Sequence, residues 1–111
     1  MRPSVWYYWL HWRPTFWDDM TPEEDAALGP HSDYVGELYD QGRVVLAGGV
    51  REPAGGVVFF RAANRQEAEA IMNKEPLVQS GIVEITLHQL KPGFIGATPF
   101  DYREGDSGDF G

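Results

Sequence analysis

The stretch Ser4 to Trp12, SVWYYWLHW, restricts the fold more than any other part of the chain. It is aromatic and β-favouring, so it is read as a strand. Alternation puts Val5, Tyr7, Trp9 and His11 on one face and Trp6, Tyr8, Leu10 and Trp12 on the other. Both faces are apolar. A strand of this kind has to be covered on both sides, which calls for a sheet with helices on one face and a second covering layer on the other.

The remaining segments supply the first layer. Arg13 to Met20 is read as a connector. Thr21-Pro22-Glu23-Glu24 has the form of a helix start, with Thr as N-cap, Pro in the first position and Glu three residues after the cap. Gly29-Pro30 interrupts it, because proline disfavours helical geometry in the residue before it. The expectation is a short helix over 22–28 and a restart over 30–41, opened by His31 and stopped by Gly42. Val44 to Gly49 reads as a short buried strand, Arg51 to Gly55 as a turn, and Gly56 to Ala62 as the returning strand of a hairpin. Asn64 caps a further helix, which Lys74-Glu75-Pro76 ends, and Ile82 to Leu90 is the last strand. The tail beyond carries Phe94, Ile95, Phe100, Tyr102 and Phe110. Its first half is expected along a surface groove and its last seven residues loose. The division is therefore a domain over 1–92 and a tail over 93–111.

The order β-α-β-β-α-β points to an α+β fold, a ferredoxin-like sandwich with a four-stranded antiparallel sheet and two helices on one face. The other face stays bare in a monomer, with Trp6, Tyr8 and Trp12 (or the opposite set) exposed on it. Three such rings present roughly 450–750 Å², more than a soluble monomer usually shows. Covering them is worth on the order of 10–20 kcal/mol as an upper bound. A homodimer, sheet against sheet, is the expected partner arrangement.

Composition narrows the function. Nine Lys and Arg against 17 Asp and Glu give a net charge of −8, which argues against a nucleic-acid binder. There are no cysteines, hence no disulfide, thiolate nucleophile or Cys-bound zinc. No apolar run approaches the roughly 18 residues of a membrane span, and the N-terminus lacks a signal-peptide cleavage pattern. A cytoplasmic location is the default expectation.

The topology brings titratable groups to one rim: His31 at a helix start, Arg51 in the hairpin, Glu75 at a helix end and His11 at the end of the first strand. Each has a plain structural alternative. His31 fits a buried histidine bonded to a carbonyl on the Val35 and Leu38 stripe, Glu75 a solvated helix end, Arg51 a surface charge, and His11 and His88 structural positions. A metal site from His11, His31 and Glu75 has no close ligand spacing behind it. No metal and no cofactor are expected.

A histidine three residues before a tyrosine (His31, Tyr34), then Leu38, Gly42 and a strand ending Ala47-Gly48-Gly49, resembles the YciI-like (YCII-related) family. Gly55-Gly56, Glu67-Ala68 and Glu75-Pro76-Leu77 to Gly81 continue the likeness over roughly residues 5–90. The resemblance implies a dimeric α+β barrel and an active site of a histidine and an aspartate in an Asp-Pro-Phe motif. It also implies chemistry such as that of a dehydrochlorinase or a muconolactone isomerase. His31 matches the histidine. Glu75 stands at the aspartate and Leu77 at the phenylalanine, so the carboxylate reaches one methylene further.

Two functions follow. In the first, a lyase or isomerase, His31 oriented by Glu75 takes a proton next to a carbonyl as general base. Arg51, His11, Tyr34 and the backbone of Gly48 and Gly49 are the candidates for holding the substrate. In the second, the same cleft belongs to a non-catalytic dimeric module that binds a small ligand.

Overall fold

A computed structural model describes residues 4–96. The strands are β1 (Val5–His11), β2 (Val44–Val50), β3 (Gly55–Arg61) and β4 (Glu84–Leu90). The helices are α1 (Phe16–Asp19), α2 (Pro22–Asp40), α3 (Arg65–Asn73) and α4 (Pro76–Ser80). The strands form one antiparallel sheet in the order β2-β3-β1-β4, with β1 in its interior. This is an α+β architecture.

The core forms where Trp6, Tyr8 and Leu10 of β1 and Val58 and Phe60 of β3 meet Leu38 of α2, Ala68 and Ile71 of α3 and Leu77 of α4. Ile85 and Leu87 close it on the β4 side. The opposite face of the sheet carries Tyr7, Trp9, Val57 and Phe59, none of them fully buried. Tyr7 lies 4.8 Å, centroid to centroid, from both Phe59 and His88. The first set named from the sequence for this open face, Trp6, Tyr8 and Trp12, is therefore the core set. The alternation has that sense because the Tyr8 hydroxyl finds a buried partner in Glu75, whereas the other set ends in the polar His11.

Three further expectations are corrected. Residues 22–28 and 30–41 form one uninterrupted helix, with Pro30 inside it. Gly29 has no Cβ for the proline ring to meet, and both residues face solvent, where a lost helical hydrogen bond is replaced by water. The capping box at Thr21 and Glu24 opens the helix as the spacing predicts. The connector contains α1, whose Phe16 stacks on Trp12 at 3.8 Å. Finally, β2 is an edge strand with mostly exposed residues rather than a buried one, because Ala47, Gly48 and Gly49 have little side chain to bury.

In the described part of the tail, Phe94 and Ile95 line an apolar groove with Val5, Val45, Leu46 and Phe59, and both remain exposed. Phe100, Tyr102, Phe110 and the segment expected to be loose lie outside the described residues. Among the described residues no helix is long and apolar enough to cross a membrane.

Candidate active site

Sequence spacing on α2 places His31 on the half-buried stripe that runs through Ala27, Leu28, Tyr34 and Val35 to the buried Leu38. His31 is not at a helix start: it lies nine residues beyond Pro22, well inside α2. Glu75 comes from the short link between α3 and α4. The proline after it, read from sequence as a stop, is the first residue of α4, and Glu75 is its N-cap. The Leu77 amide donates to Glu75 Oε1 at 3.3 Å. Gly81, at φ 73°, ends α4 in the left-handed conformation that glycine adopts without strain.

The two helices bring His31 Nδ1 within 2.8 Å of Glu75 Oε1. The Glu75 side chain is wholly inaccessible, and that of His31 is 19% exposed. Tyr8, at the centre of β1, donates its hydroxyl to the other carboxylate oxygen, Oε2, at 2.5 Å. Burial, and then the carboxylate beside it, push the Tyr8 phenol far above its ordinary range, so it is a permanent donor. With Tyr8 and the Leu77 amide both donating to Glu75, the contact to His31 is satisfied when Nδ1 carries the proton. Nε2 is then left as an acceptor.

His31 lines a cleft of about 350 Å³ between α2 and the β2-β3 hairpin. Its floor exists because of small residues. Gly49 of β2 pairs with Gly56 of β3, and Gly56 with Leu10 of β1, so two adjacent positions facing the core carry no side chain. Ala47, paired with Val58, adds only a methyl. The walls are Leu10, Trp12, Trp17, Leu28 and Val35. Both indoles are fixed: Trp12 stacks on Phe16, Trp17 meets Phe16 edge-on at 4.9 Å, and Trp17 Nε1 donates to the Val50 carbonyl at 2.8 Å. Arg13 anchors this corner through two bonds to the Glu24 carboxylate, at 2.9 and 2.7 Å, and two to Asp19, at 2.5 Å to its carboxylate and 2.7 Å to its backbone carbonyl.

Of the candidates named from the sequence, His31, Gly48 and Gly49 line this cleft and Glu75 backs it. Arg51 does not. It lines a neighbouring cavity of about 430 Å³ that shares Trp12 and Trp17 with the first. His11 is on the open face of the sheet, its Nε2 3.2 Å from Thr86 Oγ1, because it belongs to the odd-numbered face of β1. It is thus separated from His31 and Glu75, and the three do not form a ligand set. Tyr34 is tied to the core, donating to the Ile71 carbonyl at 2.6 Å. Burial, with Glu75 and Glu37 nearby, raises its phenol to about 12. The sequence reading missed Tyr8, Trp12, Trp17 and Ser32. A tyrosine on the core face of an otherwise apolar strand was the available signal for Tyr8, since a buried phenol needs a partner.

The model of the YCII-related domain family matches residues 8–87. The fold is similar to that of 5-chloro-2-hydroxyhydroquinone dehydrochlorinase from Burkholderia phenoliruptrix AC1100, solved in complex with 2,5-dihydroxybenzoquinone. That similarity has a TM-score of 0.62 at 13% identity, over 80% of this chain and 95% of the other. No curated protein matches the chain significantly.

Proposed function

Since the chain belongs to the YCII-related domain family, we propose that it is a small-molecule enzyme of lyase or isomerase type, with His31 as its general base. The observation that carries this reading is the 2.8 Å contact between His31 Nδ1 and a fully buried Glu75 on the inner side of an open cleft. Glu75 fixes the ring and its tautomer, and Nε2 takes a proton next to a carbonyl or similar activating group. The imidazolium formed lies against the carboxylate, which favours it. The backbone at Gly48 and Gly49 lines the cleft where negative charge develops on the substrate. Loss of a leaving group then completes an elimination, and return of the proton to another carbon completes an isomerisation. The similar dehydrochlorinase supports the first of these outcomes.

One observation favours a non-catalytic binding module instead: among the described residues His31 is the sole titratable side chain lining the cleft, so no second acid stands opposite it. A thermal-shift and turnover screen over carbonyl compounds, with His31→Ala and Glu75→Gln, separates the two. Turnover that vanishes in both variants supports the enzyme. Ligand stabilisation without turnover in the wild-type protein supports the binding module.

The same reading includes a homodimer formed through the open face of the sheet. Tyr7, Trp9, Val57 and Phe59 lie across its middle, and Leu46 of the edge strand is 62% exposed. A second copy would bury this surface, and apolar burial at about 25 cal/mol per Å² drives such association.

A further inference from the structure

We propose that the His31 cleft takes uncharged, hydroxylated single-ring compounds, phenols or cyclic enols, and excludes their carboxylated counterparts. This rests on the cleft being the substrate site; it does not require turnover. Among the described residues the one titratable group on the cleft is His31, and immediately behind it lies the buried Glu75 carboxylate. Among the described residues no lysine or arginine lines the cleft, and Arg51 faces the neighbouring cavity. A carboxylate entering here gives up its water against Leu10, Leu28 and Val35, and the one group beside it that can become a cation, His31, is already paired with Glu75. It also sits one imidazole away from another anion, in a protein of net charge −8. A neutral hydroxyl meets none of these penalties and gives Nε2 the donor it lacks.

Shape supplies the rest. Trp12 and Trp17, each locked by its own contacts, offer flat apolar surface to a ring. A volume of about 350 Å³ is near the lower end of the roughly 300–1,000 Å³ of small-molecule sites, which admits a single ring and excludes large ligands. Upon transfer of the hydroxyl proton to Nε2 the ligand becomes an anion only when an imidazolium has formed beside it, so charge is created as a pair inside the cleft.

The test uses hydroquinone and 2,5-dihydroxybenzoate, which differ by one carboxylate, titrated into the full-length protein and followed through the indole N–H signals of Trp12 and Trp17 by NMR. Hydroquinone is expected to bind at least ten-fold more tightly. Ser32→Lys, at an exposed position on the cleft lining, introduces a cation and is expected to remove or reverse that preference without disturbing the core. Equal or tighter binding of the carboxylated compound by the wild-type protein overturns the proposal. So does the absence of saturable hydroquinone binding, or an unchanged preference in Ser32→Lys. A preference for hydroquinone in a protein that turns nothing over leaves the selectivity standing and removes only the general-base reading.

Discussion

Replacing Tyr8 by phenylalanine deletes a single oxygen atom from the centre of the molecule, and the structure allows its effect to be worked out. That oxygen donates to Glu75 Oε2 at 2.5 Å, and both residues are wholly buried. A hydrogen bond to a charged group contributes about 1.5–3 kcal/mol, more than the 0.5–1.5 of a neutral pair. With its second oxygen unpaired and no water able to reach it, Glu75 retains only His31 and the 3.3 Å Leu77 amide. A loss of about 2 kcal/mol lowers the melting temperature of a domain this size by roughly 8–16 °C. Tyr34→Phe is the internal comparison, since it removes a donor to the neutral Ile71 carbonyl and should cost about 1 kcal/mol. Urea denaturation at neutral pH measures both. The ¹⁵N shifts of the His31 ring give a readout that packing alone would not move. The wild-type neutral ring should be in the Nδ1–H form, and Tyr8→Phe should shift it towards Nε2–H as Glu75 becomes free to turn. If Tyr8→Phe costs no more than Tyr34→Phe and leaves the tautomer unchanged, the hydroxyl is a passive core contact and the account of the site is wrong.

The Glu24 carboxyl is held down to about 2 by its bonds from Arg13 and from the Thr21 backbone. A depressed folded value means that this stabilisation is complete above pH 4.5 and lost as pH falls from there towards 2. Acid unfolding of Arg13→Met should therefore show a flatter pH dependence across that window, and an unchanged slope would dissociate the pair from the acid limb. Gly55→Ala should destabilise by about 1–3 kcal/mol in urea melts, because the added Cβ would come within 2.6 Å of the Leu10 carbonyl oxygen; wild-type stability would contradict that close approach. Trp9→Glu places a charge on the open face and should convert a dimer to a monomer in sedimentation equilibrium. A wild-type protein that is already monomeric at micromolar concentration rules out the interface.

How much of this could be read from the residues differs from element to element. The four strands and the capped start of α2 are legible because they rest on local rules: alternation for β1, an N-cap with proline and glutamate at fixed offsets for α2. The continuity of α2 through Gly29 and Pro30 was not, because the local rule against proline yields when both residues face water and the helix is held on its other side by Leu28, His31 and Leu38. The meeting of His31 and Glu75, 44 residues apart, was legible through the family resemblance, whereas the topological route to it placed His31 at a helix start that the uninterrupted α2 does not have. Its third member, Tyr8, did not, since which face of β1 turns inward depends on packing between elements. Arg51 and His11 were assigned to the rim by the end of the strand they occupy. Distance along a strand says nothing about which side of the sheet a side chain occupies, and there His11 parted from the site.

The cleft owes its capacity to omissions at Ala47, Gly49 and Gly56, on a hairpin remote in sequence from His31 and Glu75. Reactive groups and available room are thus encoded by separate segments, and one can vary while the other is kept. A methyl at Gly56 would press on the flexible end of Leu10, at 3.1 Å, and meet the Gly48 carbonyl oxygen in ordinary contact at 3.7 Å, whereas the adjoining Gly55 faces rigid backbone at 2.6 Å. Within two neighbouring codons the chain holds one position where ligand size can be retuned and one where it cannot.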